Sequence, residues 1–361
     1  QAMAMWGAGI MVGPIIGPTL GGWLTESYNW RWVFLINLPV GALAFLGCLI
    51  YLPRLPRKRR SFDMAGFALL SLAIGSLQLM LDRGGEVDWF SATETWIYLL
   101  ITISGFWMFS VHILTKEHPF LDPQMFRDSN FRIGLVFIFV VGIILLASLA
   151  LLPPMLSRIL GYPVITTGWV MAPRGVGTMI SMLIVGRLVR IVDPRALVLT
   201  GLSLTALSLY EMTGFTPQMD SWPIIRSGVV QGLGLGLVFV PLSTIAFATL
   251  EPRFRADATS LFSLVRNIGS SIGISIVTAA LARNIQTNHA ELGTFIQPYN
   301  PVLARTYPAA VSGDATTLQM LDGLVNVQAA MISYIDDFYL MMWVTLLAMP
   351  LALILRRPAK A

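Results

Sequence analysis

Apolar residues gather into ten stretches along this chain, near residues 3–24, 32–52, 64–82, 95–115, 132–156, 165–186, 196–215, 223–248, 258–282 and 335–355, with polar connections between them. Most approach the roughly 20 residues that a helix needs to cross a bilayer's hydrocarbon core. In lipid every backbone polar group must be satisfied within its own element, so such stretches predict helices. The pattern predicts an all-α polytopic membrane protein with ten transmembrane helices in this chain.

The connections alternate in charge. One set carries Arg54, Arg57, Lys58, Arg59 and Arg60, then Lys116, Arg127, Arg132, Arg187, Arg190, Arg195, Arg253, Arg255, Arg356, Arg357 and Lys360. The other carries only Arg31, Arg83, Arg158, Arg283 and Arg305. Basic residues mark the cytoplasmic side, which places the 53–62 loop and the C-terminus there, and with an even number of spans residue 1 as well. This asymmetry accounts for the basic pI without nucleic acid. A composition 55% hydrophobic and 12% charged lies outside the soluble range and agrees. The chain opens on Gln1 within a few residues of its first span and reads as a truncated copy, or the downstream part of a longer product.

Candidate chemistry is sparse. Cys48 is the single cysteine, and the histidines are His112, His118 and His289, so neither an intramolecular disulfide nor a metal centre is expected. Cys48, mid-helix among Gly, Leu and Ile, reads as a small buried apolar residue. No cofactor is implied. No GxxxxGK[ST] loop is present, so nucleotide hydrolysis is not expected of this chain. An integral membrane enzyme would show clustered His, Asp and Glu at a membrane edge; the one carboxylate pair is Asp336-Asp337, and a transporter is the better reading.

Four features stand out. Gly9, Gly13, Gly17 and Gly21 recur every four residues beside Pro14 and Pro18, with Gly22 following, and form a ridge without side chains. In lipid this predicts a bent helix packed closely on another; the ridge serves packing alone or also a pivot between halves. Arg174 lies mid-span, after Pro173, where a cation costs about 3 kcal/mol on insertion scales. Snorkelling from that depth is difficult, so a cavity-facing position is expected, with a structural ion pair as the alternative, and Pro173 frees a carbonyl that can line the same cavity. Arg266, about two turns into its helix, reads as a snorkelling or helix-end charge. Asp82, Arg83 and Asp88 read as markers of the outer boundary, Asp63 as a local helix-start charge, and Asp336 and Asp337 either as coupling-ion ligands or, better, as solvated acids at the outer edge of the last span.

Several motifs resemble one family. Gly13-x3-Gly17-Pro18-x2-Gly21-Gly22 is similar to the antiporter motif of the fifth helix of the fourteen-span drug:proton antiporter branch of the major facilitator superfamily, the EmrB/QacA type; the motif's leading Gly falls at Ala4. Trp30-Arg31-Trp32 through Gly41 resembles the entry to its sixth helix, and Leu81-Asp82-Arg83-Gly84 with Asp88-Trp89-Phe90 the end of the first of two extra helices. Gly186-Arg187-Leu188-x4-Asp193-Pro194-Arg195 resembles a degenerate copy of the cytoplasmic loop signature, and Leu264-Val265-Arg266-Asn267-Ile268-Gly269-x-Ser271-x-Gly273 the penultimate helix.

The resemblance implies a major facilitator fold lacking the first four helices. Residues 1–52 would be the last two helices of an N-terminal bundle, 53–131 a basic loop and two linker helices, and 132–361 a six-helix bundle with a long, partly ordered external loop at 283–334. It implies proton-coupled multidrug efflux of small amphipathic compounds by alternating access in the inner membrane. The partners would be lipid and protons and, on the outer side, a periplasmic adaptor protein and outer-membrane channel. Export of a dedicated metabolite such as a siderophore or amino acid, or an inactive fragment, are the alternatives.

Overall fold

In a computed structural model, the structure describes Gly13, Gly17, Pro119 and residues 20–51, 62–117, 121–189 and 191–354. The helices are α1 (20–27), α2 (Trp32–Leu35), α3 (Asn37–Tyr51), α4 (Met64–Gly84), α5 (Thr93–Thr115), α6 (Ser129–Arg158), α7 (Val164–Leu188), α8 (Pro194–Met212), α9 (Trp222–Ala248), α10 (Arg255–Gly293), α11 (Pro301–Thr306), α12 (Pro308–Val311) and α13 (Ala315–Ile354). Eight described helical segments are long and apolar enough to cross a membrane. The expected span at 196–215 is α8, a helix of 19 residues diluted by serines, threonines and Glu211 but well buried along one side. Most of the expected span at 3–24 lies outside the described residues, as do Pro14, Pro18, His118 and the Arg54–Arg60 cluster.

Helices α6 to α10 and α13 form a six-helix bundle in which α9 packs on α6, α7 and α8, while α6 packs on α10 and α13. Helix starts follow from the sequence. Asp128 accepts the Phe131 N–H at 2.8 Å at the start of α6, and Asp193 accepts the Arg195 N–H at 3.1 Å at the start of α8. Two apolar layers fill the interior. One, around Met155, Leu209, Phe215 and Phe338, lies toward the Arg158 end; the other, around Phe137, Leu202 and Ile245, lies toward the opposite end. Buried side chains alone do not hold helices together in lipid, where packing and interhelical hydrogen bonds carry association. Here Ser181 Oγ donates to Leu233 O at 2.7 Å, Ser208 Oγ to Ser227 O at 2.7 Å, and Ser270 Oγ to Gly142 O at 3.1 Å.

Outside the bundle, α4 and α5 pair as a hairpin that rests against α10. Ser275 Oγ donates to Leu81 O at 3.1 Å at that contact. At the hairpin's other end Asp63 is more than a local cap. Its carboxylate accepts the Gly66 N–H at 3.0 Å, lies 3.0 Å from His112 Nε2 and accepts from Lys116 Nζ at 2.7 Å, fastening the start of α4 to the end of α5.

Helices α2 and α3 bury no side chain among the described residues, and Cys48 is exposed, not buried as expected. In the glycine ridge, no described atom lies within 4 Å of a Cβ added at Gly13, Gly17 or Gly21, whereas Gly22 closes on the start of α7, where Glu26 Oε1 accepts the Ile165 N–H at 3.3 Å.

The expected loop at 283–334 is largely helix. α10 continues to Gly293, α13 begins at Ala315, and α11 and α12 lie between them. Asn288 Nδ2 donates to Ser333 Oγ at 3.0 Å and His289 Nε2 lies 3.0 Å from Asp322 Oδ1, tying the two extensions together. Helices in water need only one narrow apolar contact, so these segments lack the strong periodicity that marks a span.

Candidate functional site

The gap between α9 and α10 opens into a cavity of about 560 Å³. It lies at the end of the bundle carrying Arg253 and Arg255, the side that charge bias assigns to the cytoplasm. Phe239, Phe247 and Phe262 give it apolar walls, Ser243 and Thr259 bring hydroxyl groups, and Arg255 and Arg266 supply charge. Phe247 and Phe262 meet with ring centroids 5.2 Å apart. No carboxylate is among the described residues of the lining.

Arg266 is the sequence-derived residue that this cavity claims. Its side chain is half-buried and makes no hydrogen bond or ion pair with a described residue. The residue, expected to snorkel or to sit at a helix end, lines the wall of this cavity at the cytoplasmic end of the bundle. Its backbone does separate work. The Arg266 carbonyl accepts from Ser270 Oγ at 2.9 Å and sits against Gly142 of α6, where a side chain would not fit.

Arg174 sits elsewhere, 6% exposed inside the bundle and not on the α9–α10 cavity. Its Nη2 donates to Ser148 Oγ at 2.8 Å and to Leu145 O at 3.3 Å, both on α6, while its buried Nη1 has no partner. No described carboxylate pairs with it, so the ion-pair alternative finds no partner among the described residues. Pro173 leaves α7 helical and places Arg174 toward α6. The backbone behind Arg174 is pressed against α9, whose Gly228 and Gly232 bring the two helices together.

Five further residues carry polar atoms that are buried without a partner among the described residues: Thr167, Arg195, Gln231, Glu211 and Asp337. Gln231 on α9 is fully buried with both amide atoms free, Glu211 keeps one free oxygen while the other accepts from Arg226 at 2.6 Å, and Asp337 on α13 has a free Oδ2. Asp337 overturns the expectation of a solvated acid: it is 1% exposed, beside Tyr334 and Phe338 in the core layer. Asp82 is exposed at the outer end of α4. Among the described residues no group of three or more metal-ligating side chains comes together.

Sequence reasoning missed the α9 glycines and Gln231. The signal was in view, because Gly228, Gly232 and Gly236 repeat the four-residue spacing of the first ridge.

A bundle of membrane-length helices joined at glycine faces, with a cavity between two of them and charges held inside it, defines a multi-pass membrane protein of the transporter kind. The chain matches the Major Facilitator Superfamily over residues 1–274 and belongs to that family. It is 34% identical over 334 residues to the multidrug export protein EmrB of Escherichia coli strain K12, covering 91% of this chain and 64% of that protein. It is 30% identical over 343 residues to the fatty acid resistance protein FarB of Neisseria gonorrhoeae, covering 93% of this chain and 68% of that one. A bacterial homologue of the human lysosomal transporter Spinster, in an inward-facing and occupied conformation, aligns with 99% of the chain at 16% identity and a TM-score of 0.44. The chain thus spans less than two thirds of the length of EmrB, at 64%. It is a multi-pass protein of the bacterial inner membrane.

Proposed function

We propose that the protein is a proton-coupled efflux transporter, not an enzyme, that exports small amphipathic compounds by alternating access. The observation that carries this reading is the α9–α10 cavity: aromatic walls take the apolar part of a substrate and the unpaired Arg266 takes its polar head. Two arginines without an acid favour a head that is anionic or accepts hydrogen bonds. The names of EmrB and FarB, a multidrug export protein and a fatty acid resistance protein, support that class. The test is efflux from cells of a weakly acidic fluorescent amphipath and of a cationic dye of similar size. The acidic probe should leave faster, and preference for the cation would overturn the substrate class.

Within this reading Arg174 and Asp337 are functional charges kept at a cost to stability. Met matches the volume of Arg174 without its charge, so Arg174→Met should give normal amounts of protein with an unchanged or higher Tm. Efflux per molecule should fall about tenfold. Unchanged efflux per molecule would remove Arg174 from the site.

Asp337 is the described carboxylate best placed to carry the coupling proton, being buried with one oxygen unpaired. Asp337→Asn should fold and bind substrate, yet release no protons when substrate is added to vesicles. The Gly13–Gly22 ridge, with Pro14 and Pro18, is the proposed pivot against the other half of the transporter.

On the outer side, α10 to α13 present exposed Phe295, Tyr299 and Val302 beside a groove of about 420 Å³. This surface is the proposed seat of a periplasmic adaptor protein, through which an outer-membrane channel would be reached.

A further inference from the structure

A second, larger cleft lies away from the α9–α10 cavity. It measures about 1150 Å³ and separates the outer end of α4 and the turn after it from the outer part of α10. We propose that this cleft binds the headgroup of a zwitterionic phospholipid bearing a primary ammonium and a phosphodiester, a phosphoethanolamine lipid of the outer leaflet.

Its charges are arranged by wall. Asp82 and Asp88 line the hairpin side and Arg283 the α10 side, with the hydroxyl-bearing Ser275 and Thr278 on the same helix as Arg283. The nearest cation in sequence does not cancel the acids, because Arg83 Nε is engaged by Glu94 at 3.2 Å. Asp82 is held by Gln78, whose Nε2 donates to Oδ1 at 2.8 Å. An ammonium has three donors and suits two carboxylates, and a guanidinium suits a phosphodiester. A simple cation would leave Arg283 facing it, and an anionic lipid would meet both acids. A zwitterion satisfies both walls.

Depth and access point to lipid. Trp89, Phe90 and Trp96 cluster at this end of the hairpin, and Trp96 Nε1 donates to Phe90 O at 2.9 Å. Such aromatic groups settle at headgroup level. Phe90 and Trp96 are 48% and 55% exposed, so the hairpin's flank is open to the bilayer beside the cleft. The turn itself is held in an unusual form, with Asp88 at φ 55° and Trp89 at φ 50°, and it lays the Trp89 ring against Gly84. That conformation is uncommon for a bulky residue, and here it brings both Asp88 and Trp89 to the cleft.

The proposal is independent of the efflux reading. Intact protein purified from membranes is offered equal amounts of phosphatidylethanolamine, phosphatidylcholine and phosphatidylglycerol, and retained lipid is counted by native mass spectrometry. Phosphatidylethanolamine should be retained in preference to both others. The double variant Asp82→Asn, Asp88→Asn should lose that preference, a drop of about tenfold. Arg283→Gln should weaken retention of all three lipids. Thr278→Trp, on an exposed position, should fill the cleft and lower retention without changing charge. Wild-type retention in both the double variant and Thr278→Trp, or a preference for phosphatidylglycerol, would overturn the assignment. So would full competition by free phosphoethanolamine, which would make the occupant a soluble zwitterion.

Discussion

Gly232→Ala is expected to abolish most of the folded protein, although it adds one methyl group. That methyl would run into the Arg174 carbonyl oxygen, with the Thr178 amide nitrogen at 2.9 Å and the Arg174 carbonyl carbon at 3.0 Å. All three are backbone atoms of α7, so no side-chain rotation relieves the contact. The helices must move apart, which strains the bond from Ser181 to the Leu233 carbonyl and unseats Arg174 from α6. Overpacking of this kind costs about 3 kcal/mol, and a broken buried hydrogen bond about 1 kcal/mol more. Size-exclusion profiles and Tm of detergent-extracted protein are the measurements. Gly75→Ala is the control, since nothing lies within 4 Å of the added carbon, and it should match wild type. A monodisperse Gly232→Ala protein with wild-type Tm would refute the α7–α9 contact.

The second large effect is expected on transport alone. Arg266→Ala should leave protein amount and Tm unchanged, because the side chain bonds to no described residue while the packing against Gly142 uses the backbone. The KM for a weakly acidic amphipath should rise about 10- to 100-fold, the equivalent of a charged hydrogen bond worth about 1.5–3 kcal/mol. Arg266→Lys should recover part of this, as it keeps the charge and loses the fork. Wild-type KM in Arg266→Ala would move the substrate head away from α10.

Much of the architecture was legible in the sequence. Long apolar stretches became helices because lipid leaves the backbone no other solution, and Asp128 and Asp193 mark helix starts by their chemistry. Depth along a helix is readable, and for this reason Arg174 stood out.

Which neighbour a residue faces is not readable from one helix. The sequence places Arg266 and Asp337 alike near the end of a span, yet one lines a cavity and the other is enclosed by core aromatic and aliphatic groups. Arg174 illustrates the same limit: its partners are a serine hydroxyl and a backbone carbonyl, neither of which is a charge to be searched for. The helical extensions of α10 and α13 were hidden for another reason, since segments solvated on most sides carry little hydrophobic signal.

The central claim is that a proton gradient drives amphipath export. Full-length protein in sealed liposomes, given an acidic lumen and neutral exterior, tests it directly. A weakly acidic or neutral fluorescent amphipath should accumulate inside without nucleotide while the lumen loses protons. Nigericin, which dissipates the pH difference in potassium buffer, should stop the accumulation. Accumulation that persists after nigericin, or that starts only when ATP is supplied, would contradict the account.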